Sequence, residues 1–212
     1  MSEAKNEILE SLPVKGRKAA VPAPWLSKNE FINLPSQFAQ ALQKVKGEVR
    51  RVSDFDEARK TLGKTLDELN PGKVVVADDE PLNQIDLPSL YVDCEWFFVG
   101  KTEGDLREFC ANADVGLTGA DGALAETGSV ILEMNASQSR LASLLPPVHI
   151  VMLPVSKIVP DIFTWTANRN GEMPSQLVII SGPSKTADIE QTLVVGVHGP
   201  KRFIVIVYDD SL

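Results

Sequence analysis

Short, unbroken apolar runs constrain this chain more than any other feature: Val74-Val-Val-Ala77, Trp96-Phe-Phe-Val99, Val130-Ile-Leu132, Val148-His-Ile-Val-Met-Leu153, Leu177-Val-Ile-Ile180 and Phe203-Ile-Val-Ile-Val207. A strand with one wet face alternates apolar and polar residues, whereas a continuous β-branched run requires cover on both faces. The runs therefore predict a mostly parallel sheet held between helical layers. Asp121-Gly122 is a turn-forming pair, so one antiparallel hairpin is expected beside it.

Helical spacing supplies the cover. Phe38, Ala41, Leu42 and Val45 recur on one face and predict a helix over 36–46, ended by Gly47. Phe55, Ala58, Leu62, Leu66 and Leu69 predict a second, opened by an Asp54/Glu57 capping box and closed by Asn70-Pro71-Gly72. Segments 102–111, 137–145 and 157–168 are expected to be connecting helices. Before these, Pro13, Pro22, Pro24 and Pro35 resist regular structure, which sets residues 1–35 apart as an N-terminal arm and 36–212 as the α/β domain. Trp25, Leu26 and Phe31 on that arm are suited to pack against the body or a partner.

Composition narrows the function. A chain of 212 residues with 43 % hydrophobic content suffices for one substantial core. Its net charge of −8 disfavours nucleic acid and anionic membrane surfaces, which are held by excess Lys and Arg. Two cysteines, Cys94 and Cys110, are half the number that usually holds an iron-sulfur cluster, and the two histidines make no zinc spacing. Met1 to Glu10 lack the basic start and apolar stretch of a signal peptide, and no apolar run reaches the ~20 residues of a spanning helix. A cytoplasmic protein without membrane insertion is the expectation.

Polar segments rich in small residues adjoin the strands, as they do where α/β proteins build ligand sites. In the first, Thr118, Gly119 and Asp121 suit the backbone approach of an anion, and Thr127 with Gly128 frames Glu126, placed to act as a general base or a nucleophile. In the second, Ser181, Gly182, Ser184, Lys185 and Thr186 follow a strand directly and form a candidate anion cradle, with Asp188 beyond it as a group for a metal or hydroxyl. It is no Walker A loop, because Ser184 and Ile179 stand where that motif needs glycine. In the third, His198 is exposed on a turn by Gly196 and Gly199 and titrates near neutrality, which makes it a candidate for proton transfer. Each has a plainer reading as a turn, a tight packing point or a backbone-bonded side chain. His149, inside a strand, reads as structural and Cys110 as buried packing. No dinucleotide G-x-G-x-x-G fingerprint follows a strand, which disfavours a nicotinamide cofactor.

The motifs Leu117-Thr-Gly-Ala-Asp121, Ala125-Glu-Thr-Gly128, Leu144-Leu-Pro-Pro-Val-His149, Lys157-Ile-Val-Pro160, Ser181-Gly-Pro-Ser184, Thr186-Ala-Asp-Ile-Glu190 and Gly196-Val-His-Gly-Pro200 carry a resemblance over roughly residues 100–208. Together they resemble the lactate utilization protein C family, the LUD-domain (LutC/YkgG) proteins. That resemblance implies the three-layer superfold shared by glucosamine-phosphate isomerases, ribose-phosphate isomerases, CoA transferases and formyl-tetrahydrofolate cyclo-ligase. It also implies a component of an L-lactate utilization system that assists oxidation of L-lactate to pyruvate, with iron-sulfur clusters on partner proteins and no cofactor on this chain. The superfold hosts several chemistries. The alternative is an isomerase- or acyl/CoA-transferase-type enzyme that binds a phosphate, CoA or carboxylate through the polar loops, with Glu126 in a role reminiscent of the CoA-transferase glutamate.

Overall fold

A computed structural model describes residues 29–169, 174–187, 193–195 and 199–211. Helix α1 (Leu34–Lys44) starts two residues before the sequence expectation. Asn33 caps it by accepting from the Ser36 amide, and Pro35 occupies the first turn, where its missing N–H breaks no bond. Helix α2 (Phe55–Leu69) has the expected cap. Asp54 accepts from the Glu57 amide at 2.8 Å, and Glu57 reaches back to the Ser53 amide at 2.9 Å. Asn70 ends the helix in the left-handed conformation. Helices α3 (Leu87–Leu90), α4 (Leu106–Asn112), α5 (Arg140–Leu144) and α6 (Ile162–Asn168) are short.

The strands are β1 (Glu48–Val52), β2 (Lys73–Val76), β3 (Glu95–Phe98), β4 (Val115–Thr118), β5 (Gly122–Leu124), β6 (Ser129–Glu133), β7 (Val148–Pro154), β8 (Ile158–Val159), β9 (Leu177–Ile180), β10 (Lys185–Ala187), β11 (Leu193–Val195) and β12 (Arg202–Tyr208). Six of them form one parallel sheet in the order β1-β12-β7-β4-β2-β3. A smaller sheet runs β8-β5-β6-β9, and β10 pairs with β11.

The parallel sheet is buried on both faces, as its apolar runs require. Ile204, Ile206, Ile150 and Met152 point toward α2 and the segment around Leu82 and Leu87. Val205, Val207, Val151 and Leu153 point the other way, against α1 and the small sheet. Residues from α4 and α5 cover Val75 and Phe97 on the flank. Each such aliphatic side chain contributes about 1.5–3 kcal/mol when fully buried, so the two clusters are the main source of stability.

The runs Val130–Leu132 and Leu177–Ile180 do not join the parallel sheet but pair antiparallel as β6 and β9 of the smaller one, and the expected 157–168 helix is confined to α6, with β8 at its start. Two further features differ from expectation. Asp121-Gly122 turns no hairpin; it leads into β5, and the antiparallel return to β6 is made at residues 125–128. The edge strand β1 has no apolar run, because its charged residues are paired across the surface: Glu48 with Arg202, and Arg50 with Glu68.

Candidate functional site at the parallel strand ends

Because the six strands run the same way, their C-terminal ends share one edge, and the loops leaving them meet there. The Ala77 amide donates to the Leu117 carbonyl, the Gly119 amide to Asp79 Oδ1 at 3.1 Å, and the Ser156 amide to Asp210 Oδ1 at 3.0 Å. Gly119 is required by close approach: a Cβ there would lie 2.1 Å from the Glu80 carbonyl oxygen.

Asp79 is the unusual group of this edge. Burial pushes its carboxyl from 3.8 up to about 7, a rise opposed by the Gly119 hydrogen bond, reinforced by the charge of Asp121 and opposed again by Lys157. Asp121 is raised too, chiefly by burial of its carboxylate although the residue reaches the surface; its Oδ2 accepts from the Glu133 amide at 2.7 Å. Lys157 donates to the Ala120 carbonyl at 2.6 Å, which fixes its ammonium where it acts on both carboxylates. Glu133 in turn forms a forked ion pair with Arg169, whose guanidinium lies 5.3 Å from the Trp165 ring. Lys157 and Glu80 also line a cleft of about 560 Å³ walled by Phe55 and Tyr208. A carboxyl that exchanges its proton near neutrality, next to a fixed ammonium at the mouth of a parallel sheet, is equipped for acid-base work on a small ligand.

The sequence candidates divide between places. Gly119 and Asp121 belong to this mouth. Thr118 lies beneath it, fully buried, its hydroxyl 2.9 Å from His149 Nε2. Burial of His149 lowers its pKa from 6.5 to about 3, so the ring stays neutral and structural. Glu126, Thr127 and Gly128 form the turn at the far end of β5, with Glu126 and Thr127 exposed and Gly128 buried against α1, roughly 16 Å along the chain from Asp121 at ~3.3 Å per residue. The Glu126 amide donates to the Pro160 carbonyl, and Thr127, Ser129 and Ser181 form a chain of hydroxyls at 2.7 and 2.6 Å. Gly182 packs on Val45. Ser184 and Gly199 line an apolar groove of about 500 Å³ with Leu144, Leu145 and Phe203, at the opposite edge of the parallel sheet. Lys185 is exposed on β10 and Thr186 pairs with Val194. Asp188 and His198 lie outside the described residues.

The sequence reading missed Asp79 and Lys157 as site residues. A signal existed for the first: Asp78-Asp79-Glu80 follows the strand run Val74–Ala77, where an acid cluster falls at a strand mouth. Lys157 stood only as part of the Lys157-Ile-Val-Pro160 motif.

Fold and mouth together define a three-layer α/β protein with a polar site at the C-terminal edge of its parallel sheet. The chain belongs to the LUD domain family, whose family model matches residues 35–208. It is 40 % identical over 157 residues to lactate utilization protein C of Anoxybacillus flavithermus, covering 73 % of this chain and 71 % of that protein. It is 35 % identical over 221 residues to the protein of the same name from Halalkalibacterium halodurans, covering 97 % and 96 %. Against lactate utilization protein C of Bacillus subtilis the identity is 30 % over 228 residues, covering 97 % and 94 %. A crystal structure of a DUF162 family protein from Deinococcus radiodurans shares the fold, with a TM-score of 0.57 at 24 % identity over 82 % of this chain and 96 % of that one. Among the described residues no helix is long and apolar enough to cross a membrane.

Proposed function

We propose that this protein is a LutC-like component of an L-lactate utilization system that assists the oxidation of L-lactate to pyruvate together with iron-sulfur partner proteins. The observation that carries this reading is its likeness, over nearly the full length of both chains, to proteins named lactate utilization protein C. Oxidation of L-lactate releases two electrons and two protons, one of them from the hydroxyl. Asp79, titrating at about 7, is suited to take that proton, while the Cα hydrogen would leave with the electron pair to an acceptor on the partners, whose clusters would carry the electrons onward. The division agrees with the two cysteines of this chain, half the number that usually holds an iron-sulfur cluster.

A second reading is favoured by the same carboxyl. A self-contained acid-base enzyme acting on a small carboxylate or phosphate ligand needs a group titrating near neutrality beside a cation, and Asp79 with Lys157 meets that need. Glu126 and, beyond the described residues, His198 remain candidates within it.

Reconstitution separates the two. The chain, with and without iron-sulfur partner proteins, is assayed under anaerobic conditions for conversion of L-lactate to pyruvate with an artificial electron acceptor. The first reading predicts that activity requires all components. Full activity of the partners alone, with this chain shown to be folded, favours the second.

A further inference from the structure

A groove of about 760 Å³ lies between α4, the 134–139 loop and α5, on the flank of the mouth described above. Its electrostatics oppose those of the molecule. The chain carries −8 overall, and the cleft beside Lys157 is lined by Asp54, Asp56, Glu80, Asp209 and Asp210. The flanking groove has no Asp or Glu among its described lining residues and presents two arginines, Arg107 and Arg140. Both are exposed, and neither forms an ion pair with a described residue.

Gln138 lines the same groove and is 1 % exposed, yet neither the oxygen nor the nitrogen of its carboxamide closes a hydrogen bond of normal geometry. Its side chain is turned toward Asp121, and that hydrogen-bonding contact helps lower the carboxyl. Folded interiors seldom leave a buried carboxamide without a partner, and a bound water or ion commonly completes such a site. Apolar side chains, Leu106 and Leu141 among them, complete the wall.

We propose that this groove binds a small organic oxyanion, with the guanidinium groups of Arg107 and Arg140 on its oxygens and its carbon body against Leu106 and Leu141. Guanidinium forks match carboxylate and phosphate oxygens alike, so the shared chemistry is an oxyanion on an apolar body. The volume falls within the range of ordinary ligand pockets. The assignment does not depend on the lactate reading, because binding is measured on this chain alone and its failure leaves the reconstitution result untouched.

The test is titration calorimetry on the full chain at fixed ionic strength in sodium chloride. The probes are phenyl phosphate and 3-phenyllactate, with inorganic phosphate and L-lactate as counterparts that lack the bulky body. The proposal predicts saturable binding of at least one bulky probe, several-fold tighter than its trimmed counterpart. It also predicts at least a tenfold loss of that affinity in the Arg107→Ala/Arg140→Ala double variant, whose melting temperature without ligand stays that of the wild type because both side chains are exposed. Preference between the phosphate and carboxylate arms assigns the head group. Absence of saturable binding by all four probes, or equal affinity in the double variant, overturns the proposal.

Discussion

Replacing Asp79 by asparagine is expected to stabilise this protein at pH 8 and to leave it nearly unchanged at pH 4. The folded carboxyl titrates at about 7 against an ordinary value of 3.8, with burial as the leading cause. Between those values the native protein keeps a proton that the unfolded chain has released, so stability is lost as pH rises from about 4 to about 7 and stays low above it. Three pKa units at 1.36 kcal/mol each set an upper figure of about 4 kcal/mol, and about 3 is reasonable for a group with some remaining solvent contact. Asparagine carries no charge at any pH and retains an oxygen for the Gly119 amide. In a chain of this size the gain corresponds to roughly 6–12 °C in melting temperature. His149 acts in the opposite sense: its folded pKa of about 3 lies below the ordinary 6.5, so its contribution is lost as pH falls below 6.5. That loss is common to both proteins and cancels in the difference between their melts. Equal melting temperatures at pH 8 would show that Asp79 is not desolvated.

Gly128→Ala is expected to destabilise the fold by about 3–5 kcal/mol, seen as a fall of roughly 10 °C or more in melting temperature. Gly128 has φ of +68°, and a Cβ there would lie 2.3 Å from the Leu42 amide nitrogen and 2.6 Å from its Cα. The obstacle is the backbone of α1, which cannot swing aside as a flexible side chain would. Glu126→Gln, two residues away on the exposed side of the same turn, is expected to change stability by less than about 0.5 kcal/mol. A Gly128→Ala protein that melts like the wild type would show that the hairpin shifts from α1 to admit a Cβ at no cost.

Most of the architecture was legible because burial on both faces leaves an unambiguous trace. The runs in β2, β3, β7 and β12 and the stripes on α1 and α2 report the parallel sheet between covering layers, while the runs in β6 and β9 belong to the smaller sheet that covers one of its faces. Strand β1 was not legible, since an edge strand held by Glu48–Arg202 and Arg50–Glu68 needs no apolar run. Strand β5 escaped notice for another reason: Gly122, Ala123 and Leu124 are too small and too few for a pattern, and their burial comes from neighbours remote in sequence.

The site was half legible. Gly119 and Asp121 were marked by glycine spacing, but the carboxyl raised to near neutrality was not, because its acidity is made by desolvation. Asp79 acquires its pKa from what folds over it, and nothing local separates it from Asp78, which pairs with Lys101 at the surface. The loops at Ser181 to Lys185 and at Gly199 looked equivalent to the 118–121 segment in sequence. The direction of the strands decides the matter, placing Ser184 and Gly199 at the opposite edge of the sheet from Asp121.

A residue that lowers stability at neutral pH while sitting in a strand mouth is what a functional site demands of its fold. The most direct measurement is growth on L-lactate of a strain that lacks this chain, complemented with the wild type or with Asp79→Asn. If Asp79 serves the lactate function, the variant accumulates as a folded protein and fails to restore growth. Wild-type growth with the Asp79→Asn protein would contradict it and remove this carboxyl from the chemistry.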